Sequence, residues 1–267
     1  MYWINRKHFK MMTLVCLVLL YCVCAYAETE IKVVCEDKPD FPFLLGEGKE
    51  IQWEKPGLIV ELCEMISKKL NFKFKYTREP WKRCLATLES GESDALFYAS
   101  FKDERLKHGA FPFKDGKVDP SRSVALISYV FYVLNDSPIT WDGKALTNIK
   151  GNVGAPLGYS IVDDLKKMGL TVDESPSTLN DLRKMMKNRL DAVASLELTG
   201  EYYLKQYPEF QGKIKKLSPP IVAKPYYIMI SNQFIKKDAE FTEKIWNAAA
   251  ELKESDEYKQ IMKKYFE

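Results

Sequence analysis

The sequence predicts an α/β protein made of two similar units. Short apolar runs of strand character alternate with amphipathic stretches at helical spacing. The alternation restarts once, about halfway along the chain. No long linker, low-complexity tract or glycine-rich loop separates the two series.

In the first unit, "EIKVVCED" reads as an apolar strand ending in acids. "GLIVELCEMISKKLN" puts Leu58, Leu62, Met65, Ile66 and Leu70 at helical spacing. "FKFKY" alternates as a strand. "EPWKRCLATLESG" is a helix with proline at its start and Gly91 at its end, with Trp81, Leu85 and Leu88 on one face. "DALFYAS" is the next strand. The order β-α-β-α-β implies a mostly parallel sheet flanked by helices.

The second unit begins after a loop containing Gly, Pro and Asp. "VALISYVFYVL" is a long strand, "NVGA" a short one, and "GYSIVDDLKKMG" a helix starting near Tyr159 or Ser160. "LTVDES" is a strand. "STLNDLRKMMKN" is a helix capped by Ser177 or Thr178. "RLDAVAS" is a strand, "ELTGEYYLKQY" a helix and "PYYIMIS" a final strand. A helical region closes the chain, with Phe241, Ile245, Trp246, Ala249 and Leu252 on one face.

Residues 1–27 read as a cleaved export leader. Arg6, Lys7 and Lys10 form a basic start, Met11 to Ala27 is uncharged, and Ala25-Tyr26-Ala27 fits a small-x-small cleavage site. A membrane anchor would need a longer apolar core. Cys22 and Cys24 follow Tyr21 and Val23, where a lipid-modified cysteine normally follows a small residue. Without the leader the chain has 37 basic and 37 acidic residues, so the formal charge of +3 belongs to the leader. A neutral chain without a clustered basic face argues against a nucleic-acid partner.

Three cysteines remain: Cys35, Cys63 and Cys84. In an oxidising compartment one pair could form in three ways, or all three could stay buried thiols. His108 is the one histidine left, which is a poor basis for a metal cluster or a catalytic triad. No cofactor or metal is expected.

Open α/β sheets bind ligands beyond the carboxyl ends of their strands. In the first unit those positions are Asp40 to Phe43, Glu79 to Trp81, and Tyr98 to Arg105. In the second they are Gly158 to Ser160 and Leu196 to Glu197. One side offers aromatic rings and an arginine, the other hydroxyls and an acid. Arg105 can present a planar donor pair to a carboxylate, or pair at the surface with Asp103 or Glu104. Ser100 and Tyr98, at a strand end, can bond the same carboxylate. Ser160, at a helix start, offers a hydroxyl and backbone N–H groups to an anion. Trp81 can face either a cleft or the core.

These segments, in this order, resemble the bacterial periplasmic solute-binding proteins of family 3, the amino-acid-binding type. The block "PWKRCLATLESGESDALFYASFKDERLKHGAF" carries most of the likeness: a helix, then Gly-x-x-Asp-Ala, Ser and Glu-Arg. "PGLIVELCEMISKKLNF", "NVGAPLGYS", "MKNRLDAV" and "LKESDEYKQIMKKYF" add to it. The resemblance implies a two-lobed, periplasmic-binding-protein fold with a two-strand hinge. Lobe I would span 28–131 and return over 223–267, and lobe II would span 132–222. It further implies that Arg105 clamps a ligand α-carboxylate, that Trp81 and Phe43 line the cleft, and that the turn with Tyr159 and Ser160 closes over it. The partners implied are a small ligand, an amino acid or related anion, and an inner-membrane ABC permease, with the protein acting as a periplasmic monomer.

One position departs from the family. Where an aspartate is expected after "DAV", to hold the ligand ammonium, stands Leu196, with Glu197 next to it. Either Glu197 takes that part from a shifted loop, or the ligand lacks a standard α-amino group. Two rival functions share the fold: a cyclohexadienyl-dehydratase-like enzyme, with Glu197 as the cleft acid, and a sensory ligand-binding module. "FPFKDGKVDPSRS" before the hinge is longer than usual.

Overall fold

The computed structural model describes residues 29–266. The proposed leader and Glu28 lie outside the described residues. Thirteen strands and eight α-helices follow in chain order. The first half holds β1 (Glu30–Glu36), α1 (Leu58–Leu70), β2 (Lys73–Glu79), α2 (Trp81–Ser90) and β3 (Ala95–Ser100). A hairpin of β4 (Phe113–Lys114) and β5 (Lys117–Val118) precedes the long β6 (Ala125–Leu134). Next come β7 (Thr140–Trp141), β8 (Leu146–Thr147), β9 (Val153–Pro156), α3 (Ile161–Lys167), β10 (Val172–Ser175) and α4 (Thr178–Met185). β11 (Ala192–Leu196), α5 (Glu197–Gln206), β12 (Ile214–Lys216) and β13 (Val222–Ile230) complete the sheet. α6 (Asn232–Lys237), α7 (Ala239–Lys253) and α8 (Asp256–Phe266) close the chain.

Nine strands join in one sheet, ordered β10-β9-β11-β6-β13-β3-β1-β2, with β12 beside β6. β2, β1 and β3 run parallel, as do β10, β9 and β11. The inner strands β3 and β11 are buried at every residue, as strands covered by helices on both faces must be. Two groups of three parallel strands therefore flank a central antiparallel pair. In that pair, Ala125 to Tyr129 of β6 face Val222 to Tyr226 of β13. Beyond this stretch β6 continues along β11, and β13 along β3. Each long strand begins in one half of the molecule and ends in the other.

Local chemistry explains the boundaries. α1 buries Leu58, Leu62, Cys63 and Ile66 and stops at Asn71, which is left-handed. α2 starts after Pro80 and ends at Gly91, whose N–H bonds the Leu88 carbonyl. Ser177 caps α4, accepting from the Asn180 N–H. The closing region is three helices, because the Asp238 side chain caps α7 at the Phe241 N–H and the Ser255 hydroxyl accepts the Tyr258 N–H. After β3 the chain forms a 3-10 turn, Asp103–Lys107. The long segment before β6 is the β4-β5 hairpin, turned by left-handed Asp115 and Gly116.

Cys35, Cys63 and Cys84 are buried and free. Burial pushes the Cys35 thiol up to about 12. Of the two sequence alternatives, the structure holds the unpaired one, with each thiol serving as a small core residue.

Candidate functional site

A chamber of about 30 Å³ lies where the two halves meet. The first half contributes Glu36 from the end of β1, Asp40 and Leu44 from the loop after it, Trp81 from the start of α2, Phe97 and Tyr98 from β3, and Arg105. The paired central strands contribute Tyr129 and Tyr226, and the second half Tyr159, Ser160 and Leu196. These are the carboxyl ends of parallel strands from both halves, turned toward each other.

Arg105 forms one end. It is only 5% exposed. Its guanidinium donates to the Ser100 carbonyl (2.7 Å) and hydroxyl (3.0 Å), and across the cleft to the Gly158 carbonyl (3.3 Å). It lies over the Trp81 ring at 4.9 Å. Trp81 Nε1 donates to the same Gly158 carbonyl (3.1 Å). Gly158 has φ +73, a conformation that suits glycine and that aims this carbonyl at the first half. The Ser100 hydroxyl donates to the Ser160 hydroxyl (2.8 Å), and Lys224 of β13 donates to Ser160 as well. Burial lowers the Arg105 pKa, the direction expected for a desolvated cation.

The other end is acidic. Asp40 is 6% exposed and accepts from the Tyr98 and Thr199 hydroxyls, one from each half. Glu36 accepts from the Tyr159 hydroxyl, again across the cleft. Burial pushes Asp40 up to about 6 and Glu36 up to about 8, although these hydroxyl donors pull the other way. Tyr129 and Tyr226 join their hydroxyls at 2.6 Å beneath the chamber. A small recess shares Glu36, Asp40, Tyr159 and Leu196 with the chamber and adds Lys38, Thr178, Thr199 and Tyr203. Past it a groove of about 440 Å³ opens, lined partly by Tyr202, Tyr203 and Tyr207.

Six of the expected residues come together here: Arg105, Ser100, Tyr98, Trp81, Tyr159 and Ser160. Several details differ from expectation. Arg105 is buried and stacked on Trp81, and it pairs with neither Asp103 nor Glu104 at the surface. Trp81 serves both roles, since it faces the chamber and also packs with Cys84 and Leu88. Phe43 sits one layer back, its ring 5.7 Å from Tyr98, and Leu44 takes the lining position. Ser160 does not cap α3 with its side chain, and that helix is seven residues long. Its hydroxyl is committed to Ser100 and Lys224 instead.

Glu197, expected to reach the ligand, does not line the chamber: as the first residue of α5 it pairs with Lys216 at 2.5 Å, while Leu196 lines it. The cleft acids are Asp40 and Glu36. Asp40 stands in a loop segment already marked by its position after β1, and Glu36 ends that strand. Placement at the carboxyl end of a central strand was the signal available for both. Among the described residues no group of three or more His, Cys, Asp or Glu side chains could hold a metal ion.

A model of the bacterial extracellular solute-binding proteins, family 3, matches residues 32–267. The histidine-binding periplasmic protein of Salmonella typhimurium is 24% identical over 91% of this chain and 90% of its own length. The arginine-binding extracellular protein ArtP of Bacillus subtilis is 22% identical over 88% of this chain and 86% of its own. Among solved structures, an ancestral arginine-binding protein bound to arginine superposes with a TM-score of 0.69 at 22% identity, covering 91% of this chain and all of that one.

Proposed function

The chain belongs to the bacterial extracellular solute-binding proteins, family 3, and on that premise we propose that it captures a small amino acid between its two halves for delivery to an ABC permease. The observation that carries this reading is the buried Arg105 facing Asp40 and Glu36 across one chamber, with no carboxylate partner of its own among the described residues. Arg105 and Ser100 take the ligand carboxylate, since a guanidinium and a hydroxyl supply aligned donors to a planar anion. Asp40 takes the α-ammonium, the part for which Leu196 is unsuited. Trp81 and Tyr159 enclose the apolar part.

The paired stretch 125–129 with 222–226 acts as the hinge, so that 28–131 with 223–267 forms one lobe and 132–222 the other. Bonds now made between the lobes are exchanged for bonds to the ligand. Closure then holds only while the ligand bridges both sides. The leader is removed after Ala27, and the mature protein works in the periplasm as a monomer. Binding is the function and turnover is not. The enzyme alternative rested on Glu197, whose carboxylate is engaged by Lys216 outside the chamber.

A thermal-shift and calorimetric screen of the mature chain against the twenty amino acids, short peptides and organic acids tests the reading. At least one amino acid is expected to raise the melting temperature, because a ligand that binds only the folded state stabilises it by mass action. Shifts from peptides or organic acids alone would refute it.

A further inference from the structure

The chamber holds one more carboxyl group than a simple zwitterion can pair with. Arg105 is the one guanidinium among its lining residues, against two carboxylates, Glu36 and Asp40. Both acids also line the adjoining recess, so they stand side by side at its mouth. Neither forms an ion pair among the described residues: their partners are the hydroxyls of Tyr159, Tyr98 and Thr199. Asp37, next along the chain, adds a third negative charge acting on Glu36, and one of its oxygens is buried without a hydrogen bond. Lys38 lines the recess and opposes them in part, yet contacts neither acid as an ion pair.

A buried carboxylate without a cation tends to hold a proton, and burial raises both acids accordingly. A ligand cation placed between them would displace that proton and gain charge-assisted bonds. If the ligand carboxylate matches Arg105 and its α-ammonium matches Asp40, Glu36 is left over. Glu36 lines both the chamber and the recess beside it, so a side chain that reaches past Asp40 meets it. Entry separates the halves, since about 30 Å³ admits little more than one or two waters.

Resting on the reading above, we infer that the site selects dibasic amino acids, with the side-chain cation held at Glu36. Calorimetry at pH 7.5 compares L-lysine, L-arginine and L-ornithine with L-norleucine and L-glutamine, which have similar length and no side-chain charge. The best dibasic ligand is expected to bind about tenfold or more tightly than either neutral one, the scale of one charge-assisted hydrogen bond. Glu36→Gln, which keeps the bond to Tyr159 and is checked for folding by circular dichroism, should collapse that preference. Norleucine or glutamine binding as well as lysine overturns the inference and leaves the amino-acid reading standing. So does a folded Glu36→Gln variant that retains the full preference. If no amino acid binds, both fall. The wild-type comparison decides alone should the variant fail to fold.

Discussion

Arg105 gives up hydration on burial, and the Ser100 carbonyl, the Ser100 hydroxyl and the Gly158 carbonyl replace the lost water. Those acceptors are neutral, so the positive charge remains available to an anion. Asp40 is similar in the opposite sense, held by two hydroxyls and no cation. Asp40→Asn is therefore expected to weaken amino-acid binding about tenfold or more, the scale of one charge-assisted hydrogen bond lost. Glu197→Gln should leave affinity unchanged and cost at most about 1 kcal/mol of stability, since it breaks one partly exposed ion pair. Titration calorimetry of the two variants checks the pair; the reverse ranking would return the acid's part to Glu197. Arg105 was legible because a whole block of sequence surrounds it in a fixed order. The acids were legible only as strand-end positions, because their meaning depends on which loop the far half closes against. That information lies in contacts more than a hundred residues apart, such as Tyr159 with Glu36 and Thr199 with Asp40.

The elements themselves were readable where one physical signal dominated. β3 and β11 are apolar runs with both faces covered, and α1 and α2 carry one apolar face with a glycine or asparagine stop. The 3-10 turn at Asp103–Lys107 was not readable, since five residues are too few to show a helical period. α4 hides a further consequence. Asp181 is wholly buried on this helix, with the Ser175 hydroxyl beside it and no cation paired to it among the described residues. Burial pushes Asp181 up to about 7, against the pull of the Ser175 hydroxyl and Lys184 and with the push of Asp173. The folded state thus holds this proton more tightly than the unfolded chain does. Stability from this group is full below about pH 4 and is lost as pH rises through about 7. Asp181→Asn is expected to flatten that decline and to stabilise the protein at pH 8 while changing little at pH 4. Melting curves from pH 4 to 9 test it, and a parallel decline in the variant would count against a buried, proton-holding Asp181.

At the scale of the molecule, two halves joined by β6 and β13 meet over a chamber whose hydrogen bonds run from one side to the other. On the proposed reading a ligand competes for those same partners, which makes binding and closure one equilibrium. Trp81 is the one tryptophan among the chamber's lining residues and contacts both Arg105 and Gly158. Ligand should change the fluorescence of the wild type, and Trp81→Phe should remove most of the change. An undiminished signal in that variant would assign the response to Trp53, Trp141 or Trp246, away from the chamber.

The central claim is that Arg105 holds a carboxylate between the halves, and calorimetric titration of Arg105→Ala against the amino acid found to bind the wild type tests it most directly. The variant loses stacking on Trp81 and leaves two carbonyls short of a donor, so it should fold with a lowered melting temperature. Charge-assisted bonds contribute roughly 1.5–3 kcal/mol each, so affinity should fall by about tenfold to more than a hundredfold. Arg105→Lys should recover only part of that, having a point charge where a planar pair is needed. Wild-type affinity in a folded Arg105→Ala protein would contradict the account, because the chamber would then bind its ligand without the one guanidinium that faces it.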